Sequence, residues 1–460
     1  MKFNTRIQQL KHLAMREVAT ALFSGRDIRT ISEASNERIN MALGGNKSNP
    51  NVIQVIEKIC NRCPADGFYV TEICRGCNAK HCAVACKFGA ISFNKNGKAV
   101  IDKTKCVNCG MCAKACKYGS IVNRVRPCEV ACKVQAITAK NGEVIKVLND
   151  KCIACGSCVA NCPFGAVVDT SSIVDVIKLI KEREKTKGFN LYAMIAPSIA
   201  GQFENASVGQ IAKGLKVLGF SNIIETALGA DMVSMDEARE LAEKGFLLSS
   251  CCPSFVEYVK KNFPEFEKNI SRNLSPMGTL GKHIKEKDKT SKIVFIGPCT
   301  AKKMEINKPE LNGAIDIAIT FEELSALFSA KNIAPQELKA EKLENATYFG
   351  RRFARNCGLS EAVAQSLKEQ NIDFQVKPIL GNGIAGCKAV LLKAKAGQLD
   401  ANFIEGMACE GGCVGGPCCI SKNPNQPNAN NYFDTSEMKS IKQSTAQKLK
   451  GFQKSNKKTE

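Results

Sequence analysis

The sequence predicts two regions of different texture. A cysteine-rich α+β region occupies residues 60–170, and an α/β domain with parallel sheets follows over 171–420. Three observations predict this. Regular cysteine runs crowd residues 60–168, where long apolar runs are few. A short apolar turn recurs after the closing cysteines: F-G-A-I at Phe88–Ile91, Y-G-S-I at Tyr118–Ile121, F-G-A-V at Phe164–Val167, and a looser V-Q-A-I at Val134–Ile137. Such a recurrence marks an internal repeat. From Asn190 onward, apolar strand candidates alternate with helical patterns, which is the pattern of βα units.

Residues 1–59 read as a helical extension. Ile7, Leu10, Leu13, Val18 and Leu22 recur at helical spacing. Gly44, Gly45, Asn49 and Pro50 break the pattern, and a short helix is expected at Asn51–Ile59. No chemistry is expected there. A charged helix over 172–188 links the two halves. Strands are expected at Leu191–Ala196, Asn222–Thr226, Phe246–Ser249, Lys292–Ile296 and Ile315–Thr320. A helix from about Ser234 to Lys244 should end at Gly245. The tail, 421–460, is rich in Asn, Gln and Lys and is expected to be peripheral or partly disordered.

Composition narrows the function. The formal charge is +21, an excess that bound clusters would reduce. A lysine-rich solvated surface is the plain reading; steering of an acidic redox partner is the functional one. Nucleic acid is excluded, because no recognition motif is present, Trp is absent and Tyr numbers only 6. No run approaches the length of a membrane-spanning helix, and Met1–Asp27 has no apolar core or cleavage site. A cytoplasmic location without membrane contact is therefore expected. The 25 cysteines stand in runs too close for a disulfide framework, so a reducing, oxygen-poor compartment is expected.

Two runs are regular: Cys106, Cys109, Cys112, Cys116 and Cys152, Cys155, Cys158, Cys162, the latter followed by Pro163. Cys74, Cys77, Cys82 and Cys86 form a variant with a wider middle gap. Cys60 with Cys63, and Cys128 with Cys132, complete four sets of four. These spacings resemble those of bacterial ferredoxins, in which the fourth cysteine of a run ligates the other cluster. That rule pairs Cys74, Cys77, Cys82 with Cys116, and Cys106, Cys109, Cys112 with Cys86. It pairs Cys152, Cys155, Cys158 with Cys132, and Cys60, Cys63, Cys128 with Cys162. Four [4Fe–4S] clusters are expected. Zinc is disfavoured, because its sites use spaced pairs rather than three-cysteine runs with a displaced fourth. Lys87, Lys117 and Lys133 stand where proline usually follows the closing cysteine, and a nearby cation should raise a cluster's potential.

A second cysteine set lies on three far-apart segments: S-S-C-C-P-S-F at Ser249–Phe255, G-P-C-T-A-K-K-M-E at Gly297–Glu305, and E-G-M-A-C-E-G-G-C-V-G-G-P at Glu405–Pro417. Cys409 and Cys413, four apart, would share one face of a helical turn. The three segments resemble the signature loops of [FeFe]-hydrogenases, and the likeness extends over residues 60–420. The resemblance implies an α+β ferredoxin-like tandem [4Fe–4S] region followed by an α/β two-lobed iron-hydrogenase domain with parallel sheets. It implies that Cys252, Cys299, Cys409 and Cys413 hold the cubane of an H-cluster, with Cys413 bridging to a binuclear iron unit bearing CO, CN and a dithiolate bridge.

The resemblance also implies site roles. Cys251 would pass protons, and Lys302 would donate to a cyanide ligand. Glu237 and Glu240, with a serine matching Ser275, would carry protons to the surface, although Ser234-x-x-Glu237 also reads as a capping box. Ala196, Pro197, Ser198 and Met407 match positions around the cluster. Gly297 departs from the methionine common in the family, and Ser249 from the usual threonine. Cys357, Cys387, Cys418 and Cys419 have no assigned role. The reaction implied is reversible interconversion of protons and electrons with H2. The implied partners are a ferredoxin or similar acidic carrier and H-cluster maturation factors. A non-catalytic Fe–S assembly protein and a hydrogen sensor are the alternatives.

Overall fold

The computed structural model describes residues 3–26, 51–60, 63, 67–139, 143–343, 346–421 and 427–451. The expected break at Gly44, Gly45, Asn49 and Pro50 lies outside them.

The cysteine-rich region is two small modules. In the first, strand Gly67–Val70 pairs antiparallel with Ile121–Arg124, and Ile91–Phe93 pairs with Ala99–Ile101. Short helices His81–Val84 and Met111–Ala115 carry Cys82 and Cys112 into its small core. In the second, Ile53–Val55 pairs antiparallel with Val167–Asp169, and Ile137–Thr138 with Lys146–Val147. Helices Pro127–Ala131 and Ser157–Asn161 bury Cys128 and Cys158. The helix expected at Asn51–Ile59 is thus corrected. The β-branched run Val52, Ile53, Val55 takes a strand partner, and only Glu57–Cys60 is helical.

The α/β half has two sheets, both parallel. One holds four strands in the order Asn222–Glu225, Leu191–Ile195, Lys292–Gly297, Ile317–Thr320. Every residue of Leu191–Ile195 is buried, as expected of a parallel strand covered on both faces. The other sheet holds Leu247–Leu248, Phe403–Met407 and Pro378–Asn382 in that order. The last two were missed in the sequence because Pro378, Gly381 and Gly406 interrupt their patterns. Each of the three cysteine segments leaves the C-terminal end of a parallel strand, where α/β folds place their sites.

Helix Thr226–Lys244 starts eight residues before the expected Ser234 and ends at Gly245 in the left-handed region. Ser234 sits inside it and donates to the Asp231 carbonyl at 2.9 Å, so it forms no capping box with Glu237. The N-terminal helix Arg6–Phe23 buries Ala14, Met15, Val18 and Ala19 against helices Phe321–Ala330 and Ile173–Thr186. It also buries His12, whose Nδ1 lies 3.0 Å from the Ser325 hydroxyl and whose pKa burial lowers to about 4.

The tail is not peripheral. Helices Pro427–Asp434 and Ile441–Gly451 pack on the α/β half, burying Phe433 and Ile441. The Tyr432 hydroxyl donates to Glu225 at 2.8 Å and the Ser444 hydroxyl to Asp231 at 2.5 Å. Polar ties to buried carboxylates replace the apolar content the tail lacks.

A buried polar joint at Lys303 helps connect the two halves. The Lys303 ammonium is buried and donates to Asp169 at 2.7 Å, the Thr170 carbonyl at 2.8 Å and Glu323 at 2.7 Å. Burial would raise the Asp169 pKa, but the Lys303 and Lys11 ammoniums outweigh it and hold it below the usual range. Beside it, the Thr300 hydroxyl donates to the Ala154 carbonyl at 2.6 Å. Gly156 has φ +74, and a Cβ there would meet Pro417 at 2.6 Å and Thr300 at 2.7 Å. Lys303→Met should destabilise the protein by about 3–5 kcal/mol, because two buried carboxylates lose their shared cation. Denaturant unfolding checks this; a loss below about 1 kcal/mol would mean that the joint bears little of the stability.

Candidate active site and cluster cradles

One thiol in each cysteine set has its expected cross-partner among its charged neighbours. Burial raises the Cys82 thiol, with Cys116 and Cys77 as charged neighbours. Burial raises Cys112, with Cys106 and Cys86 beside it. Cys128 is pushed up to about 12 by burial and then by Cys162, Glu129, Cys60 and Cys63. Cys158 is pushed well up by burial, with Cys155, Cys152 and Cys132 around it. Each of the four expected cross-pairings is therefore a spatial neighbourhood, including the less regular Cys60/Cys63 set.

The three C-terminal segments meet at one cavity of about 90 Å3. Cys252, Cys299, Cys409 and Cys413 line it, as do Cys251, Lys302, Ala196, Pro197, Ser198 and Met407. All the residues expected around the cluster are thus brought together. Cys299 is raised to about 12 by burial and then by Cys252 and Cys413. Cys413 is raised to about 11 by burial and then by Cys252. Thiols raised this way share a site as thiolates only when a metal group sits among them. The helical turn expected for Cys409 and Cys413 is corrected: the segment reverses through Gly411 and Gly412, with φ +81 and +90, before a single 3-10 turn at Cys413–Gly415. A Cβ at Gly412 would meet the Ala354 carbonyl at 2.7 Å, so glycine is needed for backbone packing as well as for reach.

The cavity wall is apolar, and its few polar groups are informative. Among the described residues the buried Ser198 and Thr226 hydroxyls have no hydrogen-bond partner. Thr226 was not singled out in the sequence. It opens helix Thr226–Lys244, so its hydroxyl faces the cavity from a positive helix end. Unpartnered buried donors cost stability unless a bound group accepts from them, and an H-cluster with anionic ligands fits that need. Lys302 donates to the Cys251 carbonyl at 3.3 Å and to Glu305 at 2.6 Å. Burial would lower its pKa, but Glu305 outweighs burial and raises it. At Gly297 the space of the family's methionine is taken by Phe295, whose ring would lie 2.6 Å from a Cβ there.

Cys155 also lines this cavity, and Cys409 feels it as a charged neighbour. The second module therefore abuts this cavity directly. The sequence placed Cys155 in the relay alone.

Behind Cys251 lies fully buried Glu237, whose Oε1 accepts from the Ser250 N–H and hydroxyl at 3.4 Å each. Its Oε2 has no partner. Burial pushes its pKa up to about 8. Glu240, one turn on, accepts from the Ser271 hydroxyl and the Arg272 N–H, each at 3.0 Å, and from Lys244 at 2.7 Å. Burial would raise Glu240, but the Lys244, Arg272 and Ser271 hydrogen bonds outweigh it and lower it. Ser271 also lies near enough to Glu237 to favour its charged form, against the larger effect of burial. Ser271 is the serine bound to Glu240, and among the described residues the expected Ser275 makes no hydrogen bond to either carboxylate. Ser275 caps helix Pro276–Lys287, accepting from the Gly278 N–H at 3.4 Å. The S-P dipeptide after it was the helix-start signal that could have separated the two serines.

The profile for the iron only hydrogenase large subunit, C-terminal domain, matches residues 189–417. A 4Fe-4S dicluster domain matches 73–120, and an LdpA Fe-S cluster-binding domain matches 122–173, dividing the relay where the structure does. This is an iron-only-hydrogenase-like chain. It combines a ferredoxin-type 4Fe–4S region with an iron-hydrogenase domain of parallel sheets. The chain is 30% identical to iron hydrogenase 1 of Clostridium pasteurianum over 256 residues, 45% of each chain. It is 28% identical to the NADP-reducing hydrogenase subunit HndD of Solidesulfovibrio fructosivorans over 263 residues, again 45% of each. The matches thus span under half the length of these relatives. A shorter match, 34% over 109 residues, covers 21% of this chain and 19% of the cytosolic Fe-S cluster assembly factor NAR1 of Candida dubliniensis. A solved [FeFe]-hydrogenase, studied for oxygen inactivation at its 2Fe subcluster, shares the fold with TM-score 0.50 and 20% identity. That alignment covers 59% of this chain and 92% of the other. Among the described residues no helix is long and apolar enough to cross a membrane.

Replacing Glu237 by Gln isolates its titration. A folded pKa of about 8 lies above the ordinary 4.5, so the native state holds the extra proton between these values. Stability is then full at low pH and falls as pH rises toward 8, by at most about 1.4 kcal/mol per unit. The unloaded Glu237→Gln protein should match wild type near pH 4 and exceed its melting temperature near pH 8. Parallel melting curves across that range would remove the buried neutral acid.

Proposed function

We propose that this chain is an [FeFe]-hydrogenase catalysing the reversible conversion of protons and electrons to H2, with a ferredoxin-like carrier as electron partner. The observation that carries this is the single cavity shared by four thiols from three segments, Cys251, Lys302 and two unpartnered hydroxyls. Cys252, Cys299, Cys409 and Cys413 would hold the cubane of the H-cluster. The sixteen relay cysteines would hold four further [4Fe–4S] clusters in the pairings given above. When bound, the binuclear iron unit supplies the hydrogen chemistry.

The chain's own residues supply the rest. Lys302, Ser198 and Thr226 present donors to anionic ligands inside an apolar wall that excludes water. Cys251 holds and releases a proton at Sγ. Glu237 is a neutral acid at neutral pH and can give or take that proton. Ser271 links it to the ionised Glu240, which reaches solvent through Lys244 and Arg272. Cys155 stands between the relay and the pocket.

A non-catalytic Fe–S assembly role is the second reading, favoured by the NAR1-like segment. Against it stand Cys251 and the buried acid behind it, which cluster handling does not require.

Infrared spectroscopy of anaerobically matured protein decides between the two. Fe–CO and Fe–CN bands are expected, and their absence after competent maturation would leave the assembly reading. Protein made without maturation factors should carry iron for about five cubanes; a plateau near three would refute the Cys60 and Cys74 sets. Cys251→Ser should keep its iron and its bands yet lose about 100-fold or more of turnover in both directions, since a hydroxyl is a poor proton relay near neutrality. Near-wild-type evolution by the fully loaded variant would remove Cys251 from the mechanism.

A further inference from the structure

The first cysteine module, residues 67–124, has features that its role as a cluster holder does not explain. Large apolar side chains stand out from it: Val84 is 82% exposed, Ile73 63%, Tyr118 57%, Val107 56% and Phe88 51%. In the α/β half, by contrast, Val217 and Leu392 are the only large hydrophobics among the described residues with comparable exposure. The module holds ten Lys and Arg against two acidic residues, Glu72 and Asp102. Glu72 is paired with Lys98, and Asp102 lies 3.9 Å from Lys105.

The apolar and basic groups are arranged together. Helices His81–Val84 and Met111–Ala115 pack against each other. Each runs through a cysteine into the same turn, Cys86-Lys87-Phe88-Gly89 and Cys116-Lys117-Tyr118-Gly119. Lys87, Phe88, Lys117 and Tyr118 are all exposed. Of the sixteen relay cysteines, Cys109 alone is exposed. It lines a small pocket with Cys86, Cys106 and Cys112, and the outer cover of that pocket is Phe88 and Val107. The relay is therefore thinly covered at Phe88 and Val107, next to exposed Lys87. The other end is closed by Cys155 at the catalytic cavity.

We propose that this face, centred on Phe88, Tyr118 and Val84 and rimmed by Lys87 and Lys117, is the docking surface for a small acidic electron-carrier protein. The cradle of Cys86, Cys106, Cys109 and Cys112 is where electrons cross. This rests on the relay reading above and adds the place and the recognition chemistry. The apolar centre expels water and lets a cluster in the partner approach closely. The lysine rim attracts a negative surface and repels a second copy of this basic chain.

The test follows reduction of the relay clusters in stopped flow and needs no hydrogen turnover, so its failure is distinct from failure of the hydrogenase reading. The donors are a reduced acidic two-cluster ferredoxin and, separately, a reduced viologen dye. With ferredoxin, the wild-type second-order rate should fall steeply with ionic strength. The double variant Lys87→Glu/Lys117→Glu should be slower by about tenfold at low salt, with a flattened salt dependence, and unchanged with dye. Val84→Asp should slow ferredoxin alone. Lys393→Glu, an exposed charge on the α/β half, should change nothing. Ferredoxin rates within twofold of wild type in the double variant would overturn the proposal. So would equal slowing with dye, which would mean altered cluster potentials rather than lost docking.

Discussion

The structure hangs on a buried ammonium. Lys303 follows Cys299 by four residues, so the loop that carries a catalytic-pocket thiol also carries the ion that grips the relay. Its three donors meet three acceptors: Asp169 and Thr170 from the end of the second cysteine module, and Glu323 from the α/β half. Glu323 is itself used up. It forms a capping box with Thr320 and accepts from the Ser171 hydroxyl and Ser172 N–H at 2.7 Å each. A buried charge is costly unless every valence is met, and here all are. The yield of such an arrangement is specificity of position more than free energy. It fixes Cys155 beside the pocket, and Thr300 and Gly156 allow the backbones to touch there.

A second constraint is the separation of two carboxyls on one helix. Glu237 and Glu240 are a turn apart and both buried, yet one is a neutral acid and the other a carboxylate held ionised by protein donors. Ser250 alone approaches Glu237 Oε1, and at 3.4 Å, whereas Glu240 has several shorter donors including Lys244. A proton moves readily between groups whose affinities bracket neutrality, and a helix turn with unequal hydrogen bonding provides that pair. The apolar wall that lifts Glu237 also raises Cys251 well above an ordinary thiol, so Cys251 is protonated at rest and not a nucleophile.

Much of this was legible in the sequence because cysteine spacing is a geometric statement. A run with short gaps can bend only around a shared object, and the displaced fourth cysteine named its partner across the repeat. The three pocket segments were legible by likeness, together with Ser198, Met407 and Lys302. What was not legible depended on contacts between distant segments. Ser271 and Ser275 are indistinguishable until one is seen to face Glu240 and the other to cap a helix. Lys303 drew no reading in the sequence because its partners lie 134 residues before and 20 after it. The tail read as peripheral because its burial is polar: Tyr432 and Ser444 find carboxylates that no local pattern announces. Strands Pro378–Asn382 and Phe403–Met407 were hidden by the glycines that let Phe255 and Cys387 pack on their backbones.

The two halves differ in what holds them before any cofactor arrives. The α/β half has a broad core of aliphatic and aromatic side chains running from the N-terminal helix through both faces of the four-stranded sheet. It can fold around an empty cavity, because its stability is apolar burial. The first cysteine module has a core of Cys82, Ala99, Cys112 and Ile121, with Cys74 and Cys116 packed against them. Two of its four buried members, Cys82 and Cys112, are thiols raised by burial. Such a module gains its stability from metal, since ligation both deprotonates the cysteines and cross-links the repeats. The displaced fourth cysteine then has a folding role beside its electronic one: each cluster staples one half of the repeat to the other. The exposed apolar face of that module follows from the same economy, because a core made of clusters leaves its aliphatic and aromatic residues free to face a partner.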